Sequence, residues 1–173
     1  MHHQQVADSV QSQVHTQNQA LAQQVAAQLI LKGLTLATAE SCTGGAIGAL
    51  LTSLAGSSMW FNGGIISYSN TAKINLLAVD PELIQTFGAV SQEVVEAMAI
   101  GGSKALLVDV CVAVSGVAGP GGGSADKPVG SVWIAWSGLG KQVRSQLYHF
   151  DGNRQDIQSA AVKMSLEGII NPV

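Results

Sequence analysis

Hydrophobic positions recur along the chain in two patterns, one typical of helices and the other of buried strands. Leu21, Val25 and Leu29 keep the four-residue spacing of an amphipathic helix, which predicts a helix over residues 18–33. The unbroken apolar run 110–114 is instead typical of a strand that is buried on both faces of a sheet. The chain therefore contains both kinds of element, and their order decides the fold class.

The same patterns give the remaining elements. Further strands are predicted over 34–39, 63–68, 131–136 and 142–150, and further helices over 46–54, 70–77, 81–87, 91–107 and 153–170. Asn70 is predicted as the N-cap of its helix, which puts Lys73 at the third helical position. Helices and strands alternate first and a hairpin follows. This order predicts a single three-layer α/β/α domain with a mixed, mostly parallel sheet.

Two stretches carry no such pattern. Residues 1–16 are polar and rich in glutamine, and we expect them to form a flexible N-terminal extension to one domain over residues 17–173. The glycine-rich segment 116–128 connects two strands and is long for a purely structural loop. In α/β sheets, ligands bind beyond the carboxyl ends of the strands. The turns that follow the strands are therefore the places to search for chemistry.

Composition narrows the possible functions. The 173 residues include 8 Lys and Arg against 11 Asp and Glu, and this net charge of −3 disfavours a nucleic-acid-binding surface. Two cysteines and four histidines offer neither a disulfide framework nor a zinc site, so we expect no metal and no cofactor. No apolar run reaches about 18 residues and no signal peptide is recognisable, which predicts a cytoplasmic protein that is not in a membrane. Because only 11% of residues are charged, we expect further burial in a homodimer or larger homo-oligomer.

The first chemical candidate is the turn between the first strand and the second helix. Ser41 lies in this turn, and the following Gly44 and Gly45 allow backbone N–H groups to approach a ligand closely. A helix N-terminus also stabilises negative charge, so Ser41 could be a nucleophile beside an oxyanion hole. Two alternatives stay open: Ser41 or Thr43 is only the N-cap of the helix, or Cys42 is the nucleophile.

A lysine near the start of the third helix is the second candidate. Lys73 lies at the positive end of the helix dipole, which disfavours its ammonium form. Holding a lysine neutral at pH 7 costs about 4.6 kcal/mol, of which the dipole offsets only ~0.3–1 kcal/mol. Burial, or a donor such as the Tyr68 hydroxyl, must supply the rest. Lys73 and Ser41 would then form a base–nucleophile pair with Tyr68 as relay or orienter; the alternative is a surface lysine near a half-buried tyrosine.

The glycine-rich loop and the last helix supply candidate binding groups. Ser115 and Gly119 stand where the loop leaves its buried strand, and the loop backbone could form an anion-binding nest or a mobile lid. Arg154 begins the last helix, where its guanidinium could hold a phosphate through two hydrogen bonds. On the residues alone, a flexible connection and a solvated helix start explain the same stretches of sequence.

Six short motifs occur in an order that resembles one known family. They are TAESCTGG at 38–45, AGSS at 55–58, YSNTAK at 68–73, GAVS at 88–91, SGVAGP at 115–120 and KPVG at 127–130. Together they resemble the CinA C-terminal domain family over about residues 19–170. The active members of that family are nicotinamide-nucleotide amidases. The N-terminal domain that many members carry does not precede these motifs, so we expect the stand-alone form.

The resemblance implies a reaction. The carboxamide of nicotinamide mononucleotide would be hydrolysed to nicotinic acid mononucleotide and ammonia, in the recycling of NAD. The family's serine, lysine and tyrosine match Ser41, Lys73 and Tyr68. The implied mechanism is acyl transfer, in which Lys73 takes the proton of Ser41 directly or through Tyr68, and water then hydrolyses the acyl-enzyme.

The resemblance also implies the residues that bind substrate. They are expected at Thr43, Gly44, Gly45, Ser115, Gly119 and Arg154. The first three would frame the carboxamide oxygen, and Arg154 would hold the phosphate. One departure from the family pattern is Gly121, which stands where members often carry an acidic residue after the Gly-Pro of the loop, and it puts the flexibility of that loop in question.

Other functions compete with this one. The chain could be a non-catalytic module of the competence or damage-inducible kind that binds a nucleotide or a partner. It could also be an amidase for another small amide, such as free nicotinamide. Arg154 discriminates here, because a phosphate-bearing substrate needs such a group and a free base does not. A hydrolase that uses the thiol of Cys42 is the third alternative.

Overall fold

The computed structural model describes residues 2–140 and 142–171. Its helices are α1 (His2–Lys32), α2 (Ala46–Thr52), α3 (Asn70–Leu77), α4 (Pro81–Phe87), α5 (Gln92–Leu106) and α6 (Arg154–Ile170). Its strands are β1 (Leu36–Glu40), β2 (Phe61–Ile66), β3 (Val110–Gly116), β4 (Ser131–Ser137) and β5 (Arg144–His149). Among the described residues, no helix is both long enough and apolar enough to span a membrane.

The strands form a mixed sheet in the order β2-β1-β3-β4-β5. β1 lies between β2 and β3 and is parallel to both, whereas β4 is antiparallel to β3 and to β5. The parallel strands are connected through helices, and β4 and β5 form the predicted hairpin. Because β4 alone runs against the other four strands, the prediction of a mixed, mostly parallel sheet is confirmed.

Helices cover both faces of the sheet. Side chains alternate along β3, so Val112 packs with Ile157 of α6 on one face, whereas Cys111 packs with Met98 of α5 on the other. The first face is covered by α1, α2 and α6, and the second by α3, α4 and α5. Two separate hydrophobic cores result, and the predicted three-layer α/β/α architecture is confirmed.

Several boundaries differ from those predicted. The first helix begins at His2 instead of residue 18, and residues 2–17 contain neither glycine nor proline to interrupt it. The flexibility of the predicted extension stays a prediction, and Met1 and residues 172–173 lie outside the described residues. The first strand reaches Glu40, which is paired on both sides. The N-cap predicted at Asn70 is wrong: the Ser69 side chain accepts the cap hydrogen bond, so Lys73 is the fourth helical residue.

Candidate active site

The connections that follow β1, β2 and β3 meet at one edge of the sheet, where a cavity of about 230 Å³ opens. Its walls are formed by Ser41, Cys42, Tyr68, Asn70, Lys73, Ala89, Val90, Ser115, Gly116, Ala118 and Arg154. Five residues predicted for the site are therefore brought to one cavity. The other four, Thr43, Gly44, Gly45 and Gly119, do not line it in the part of the chain that the structure describes.

Ser41 and Lys73 are in direct contact. The Lys73 ammonium nitrogen Nζ lies 2.9 Å from Ser41 Oγ, 2.8 Å from the Ser67 carbonyl oxygen and 3.4 Å from the Tyr68 carbonyl oxygen. A helical side chain leans toward the N-terminus of its helix, which is why Lys73 reaches back to the segment that precedes α3. This contact is the central feature of the cavity.

The environment of Lys73 favours a neutral amine. The side chain is only 1% exposed, and burial lowers its pKa. The start of α3 acts in the same direction through the helix dipole. Among the described residues, no carboxylate forms an ion pair with Lys73. Burial and the helix dipole therefore both oppose the ammonium form, whereas the two carbonyl oxygens can accept a hydrogen bond from the nitrogen in either form.

The turn that carries Ser41 is organised by a buried carboxylate. Glu40 is 1% exposed, and its side chain accepts hydrogen bonds from the Thr43 hydroxyl at 2.8 Å and from the Gly45 N–H at 3.0 Å. It also accepts the N–H groups of Ile47 at 3.1 Å and Gly48 at 2.8 Å. These last donors belong to the first turn of α2, which would otherwise leave them unpaired. Glu40 thus ties the turn to the helix.

This hydrogen bonding decides which groups of the turn are available to a ligand. The Gly45 N–H and the Thr43 hydroxyl are committed to Glu40, and the Gly44 N–H donates to the Ser41 carbonyl at 3.1 Å. The N–H groups of Cys42 and Thr43 have no acceptor among the described residues. The Gly44 and Gly45 N–H groups predicted to frame a carboxamide oxygen therefore have partners already, and the two preceding N–H groups do not.

Tyr68 and Arg154 form a second pair at the mouth of the cavity. Arg154 donates from Nη2 to the Tyr68 hydroxyl at 2.9 Å and from Nη1 to the Gly119 carbonyl at 2.8 Å. The Tyr68 side chain is 60% exposed, and its backbone carbonyl, not its hydroxyl, contacts Lys73. The structure therefore brings the Tyr68 phenol to Arg154 and not into the Ser41–Lys73 contact. Gly119 takes part through its carbonyl oxygen.

Ser115 and Cys42 complete the inner wall of the cavity. The buried Ser115 hydroxyl donates to the Ala89 carbonyl at 2.7 Å, which joins the end of β3 to the segment before α5. Burial raises the pKa of the Cys42 thiol to about 12. A thiol with such a pKa is hardly ionised near neutrality, so the geometry favours Ser41 over Cys42 as a nucleophile.

Two residues at the site were not given a role from the sequence. One is Glu40, whose only signal was its place just before a glycine-containing turn and a helix. The other is Gln158 of α6, whose Nε2 donates to the Cys42 carbonyl at 2.8 Å. Its only signal was the four-residue spacing from Arg154, which puts the two side chains on one face of the helix.

The described residues contain no group of three or more histidine, cysteine, aspartate or glutamate side chains that could hold a metal ion. The polar side chains that line the cavity include two serines, a tyrosine, an asparagine, a lysine and an arginine, and of these Ser41 and Lys73 are in contact. The available chemistry is therefore that of a nucleophile with a neighbouring base.

Fold and site together define an α/β protein with a buried serine–lysine pair at the carboxyl edge of its sheet. The chain belongs to the CinA family, since the model of the CinA C-terminal domain matches residues 18–173.

Curated proteins and solved structures give the same result. The chain is 45% identical over 147 residues to nicotinamide-nucleotide amidohydrolase PncC of Enterobacter agglomerans, which covers 85% of this chain and 90% of that protein. It is 50% identical over 133 residues to the protein of the same name from Pseudomonas putida, covering 77% and 82%. The crystal structure of competence/damage inducible protein CihA from Agrobacterium tumefaciens superposes with a TM-score of 0.86 at 41% identity, covering 89% and 94%.

Proposed function

We propose that this protein is an amidohydrolase that converts nicotinamide mononucleotide to nicotinic acid mononucleotide and ammonia, and so serves the recycling of NAD. The relatives named nicotinamide-nucleotide amidohydrolase support the reaction class and the substrate. The observation that carries the proposal is the 2.9 Å contact between Ser41 Oγ and the buried Lys73 Nζ. A serine beside an amine without a counter-ion is suited to acyl transfer.

Lys73 is the general base in this proposal. A neutral amine has two N–H bonds and one lone pair. The Ser67 and Tyr68 carbonyl oxygens accept the two N–H bonds, which directs the lone pair toward the Ser41 hydroxyl. Burial lowers the pKa of Lys73 and so increases the fraction of neutral amine near neutral pH.

The reaction proceeds in two halves. Ser41 Oγ transfers its proton to Lys73 and attacks the carboxamide carbon, which forms a tetrahedral intermediate with a negatively charged oxygen. The Lys73 ammonium then gives its proton to the departing nitrogen, the C–N bond breaks, and ammonia leaves an ester on Ser41. Water gives a proton to the neutral Lys73 as its oxygen attacks that ester. The ester C–O bond then breaks, the Lys73 ammonium returns the proton to Ser41 Oγ, and the acid product leaves as a carboxylate after losing its proton to solvent.

The negatively charged oxygen needs donors, and we propose the backbone N–H groups of Cys42 and Thr43. They follow the nucleophile directly, as the donors of such sites often do, and they have no acceptor among the described residues. A well-placed donor contributes about 3–4 kcal/mol to the transition state. Thr43, Gly44 and Gly45 therefore contribute through the shape of the turn and, for Thr43, through its N–H.

Substrate selection is proposed to rest on Arg154. Its guanidinium is already oriented by the Tyr68 hydroxyl and the Gly119 carbonyl, and it lies on the cavity wall with Ser115. A planar guanidinium is suited to hold a phosphate through two hydrogen bonds. The role of Tyr68 in this arrangement is to orient Arg154, instead of relaying a proton to Lys73.

Ammonia release from two substrates tests this proposal. We expect the wild-type protein, with EDTA present, to release ammonia from nicotinamide mononucleotide and to act on free nicotinamide at least about 100-fold less efficiently in kcat/KM. Arg154→Met is expected to raise the KM for the mononucleotide by about tenfold or more. Equal activity on both substrates, or an unchanged KM in Arg154→Met, would contradict the phosphate role.

We also propose that the protein acts in the cytoplasm as a homodimer or larger homo-oligomer. Both cysteines are free and buried, which is typical of a reducing compartment. Only 11% of the residues are charged, against about 25% in an average globular domain. Sedimentation equilibrium of the wild-type protein measures the number of subunits directly. A protein that is monomeric at all concentrations would contradict the proposed homo-oligomer.

A further inference from the structure

Helix α6 contacts the active site at two points one turn apart. Arg154 reaches the cavity mouth, and Gln158, four residues later, donates from Nε2 to the Cys42 carbonyl at 2.8 Å. That carbonyl belongs to the residue directly after Ser41. The contact joins parts of the chain 116 residues apart in sequence, so it is a tertiary feature of the site and not a local turn.

We propose that Gln158 is a positioning residue that holds the Thr43 N–H in the direction required for an oxyanion donor. This inference rests on the proposed amidohydrolase function. A peptide group is planar and trans, so its C=O and its N–H point in opposite directions. The Cys42 carbonyl and the Thr43 N–H belong to one such group. A hydrogen bond that fixes the first therefore fixes the second.

The position of this peptide in the turn is one where its orientation can vary. The Gly44 N–H bonds the Ser41 carbonyl at 3.1 Å, so the Cys42–Thr43 peptide is the central one of a four-residue turn. The central peptide is the group whose orientation distinguishes the common turn types. Glu40 holds the groups that follow, through the Thr43 hydroxyl and the Gly45 N–H. Only the Gln158 amide holds the carbonyl of the central peptide among the described residues.

Gln158 acts from outside the catalytic cavity. Its side chain lines a separate groove of about 440 Å³ between α1, α2 and α6, and it is not among the residues that line the Ser41 cavity. It therefore does not touch the substrate. Donation to the Cys42 carbonyl also polarises the peptide and makes its N–H a stronger donor. Both effects act on the transition state and leave substrate binding unchanged.

Steady-state kinetics on nicotinamide mononucleotide test the role with three substitutions. Gln158→Met keeps the length of the side chain but removes the donor, and we expect kcat to fall about 10- to 100-fold with KM within about twofold. Gln158→Glu puts a carboxylate oxygen against the Cys42 carbonyl oxygen, and we expect its kcat to fall further than that of Gln158→Met. Gln158→Lys keeps an N–H donor on a chain of similar length and is expected to stay within about threefold of wild type.

A matched control is Gln155→Met, the same change at an exposed glutamine in the first turn of α6. We expect its kcat to equal that of wild type. Thermal unfolding of every variant separates loss of fold from loss of rate. Wild-type kcat in a folded Gln158→Met, or a loss that is equal in the Met and Lys variants, would overturn the inference alone. A wild-type protein without turnover would overturn the proposed function and this inference with it.

Discussion

Two glycine-containing connections leave the same edge of the sheet, and they are built differently. The turn after β1, residues 41–45, is mostly buried, and its backbone is held by several hydrogen bonds, which leave the N–H groups of Cys42 and Thr43 available. The loop after β3, residues 117–130, is exposed over residues 120–126. Its attachments lie mainly at its two ends, where the Val117 N–H bonds the Ser131 carbonyl and the Gly130 N–H bonds the Val117 carbonyl.

The difference has a physical cause. A buried carboxylate accepts the Gly45 N–H of the turn and N–H groups of α2, and Gln158 of α6 binds the Cys42 carbonyl of the turn. The exposed loop has no such centre. Its contacts to the rest of the molecule include Lys127 Nζ on the Phe87 carbonyl at 2.6 Å and the Gly119 carbonyl on Arg154. Glycine content alone therefore does not distinguish a turn held by a buried carboxylate from an exposed loop held mainly at its ends.

Exchange of one lysine in each region gives the largest contrast. Lys73→Met removes the proposed base, and we expect kcat to fall about 10²- to 10⁴-fold. Lys127→Met makes the same change at the loop and removes only its hydrogen bond to Phe87, so we expect activity within about threefold of wild type. Ammonia release measures both. A loss in Lys127→Met comparable to that in Lys73→Met would mean that the loop is as important for the chemistry as the turn.

The pH dependence of the rate sharpens the assignment of the base. Because burial lowers the pKa of Lys73, kcat/KM should rise about tenfold per pH unit at low pH and level off at an apparent pKa below 10.5. The unfolded chain binds more protons at Lys73 between its folded pKa and 10.5, so this residue makes the free energy of unfolding increase with pH in that window. A rate that is independent of pH from 5 to 9 would contradict a titrating base.

Stability should respond to the carboxylate that organises the turn. Glu40→Gln replaces one acceptor oxygen by an amide N–H group that faces backbone donors, so we expect the free energy of unfolding to fall by about 3 kcal/mol. Asp126→Asn is the matched change in the exposed loop, and we expect a difference below about 0.5 kcal/mol. Urea unfolding monitored by tryptophan fluorescence measures both. Equal stability of the two variants would show that the turn does not depend on Glu40.

Two glycine-to-alanine substitutions should give the smallest changes in the free energy of unfolding, and the two changes should have opposite signs. Gly45 has a φ of +99°, and an added Cβ would lie 2.9 Å from Ile66 Cδ1, so Gly45→Ala should cost about 1–2 kcal/mol. Gly121 has an ordinary φ and open space around its Cα. Gly121→Ala should therefore stabilise the protein by about 0.5 kcal/mol through the unfolded chain. Urea unfolding measures both changes. A Gly121→Ala variant that is less stable than the wild type would contradict the view that the loop after β3 is unconstrained at this residue.

Local patterns predicted most of the architecture. Pro81 and Ser91 mark the starts of α4 and α5 as the sequence indicated, because helix-start signals depend only on nearby residues. The buried run of β3 and the β4–β5 hairpin were predicted for the same reason. The start of α1 was not, because the polar glutamine-rich segment that precedes residue 18 shows no amphipathic pattern.

The sequence could predict which residues come together at the site, because the carboxyl ends of parallel strands lie at the same edge of a sheet. Ser41, Lys73 and Ser115 follow or flank three neighbouring strands, and their convergence follows from the sheet order. The hydrogen-bond partners of individual side chains at the site could not be predicted from the order of the strands. The Tyr68 hydroxyl contacts Arg154, 86 residues away in sequence, and Gln158 of α6 contacts the Cys42 carbonyl, 116 residues away. Such pairings depend on how helices are placed across the sheet, which spacing does not encode.

The most direct test of the Ser41–Lys73 pair as the catalytic centre is ammonia release by Ser41→Ala beside the wild-type protein. Both are given nicotinamide mononucleotide in the presence of EDTA, and circular dichroism verifies that both are folded. We expect steady release by the wild type and less than about one thousandth of that rate in Ser41→Ala. Comparable release by a folded Ser41→Ala would contradict a serine nucleophile and, with it, the assignment of Lys73 as its base.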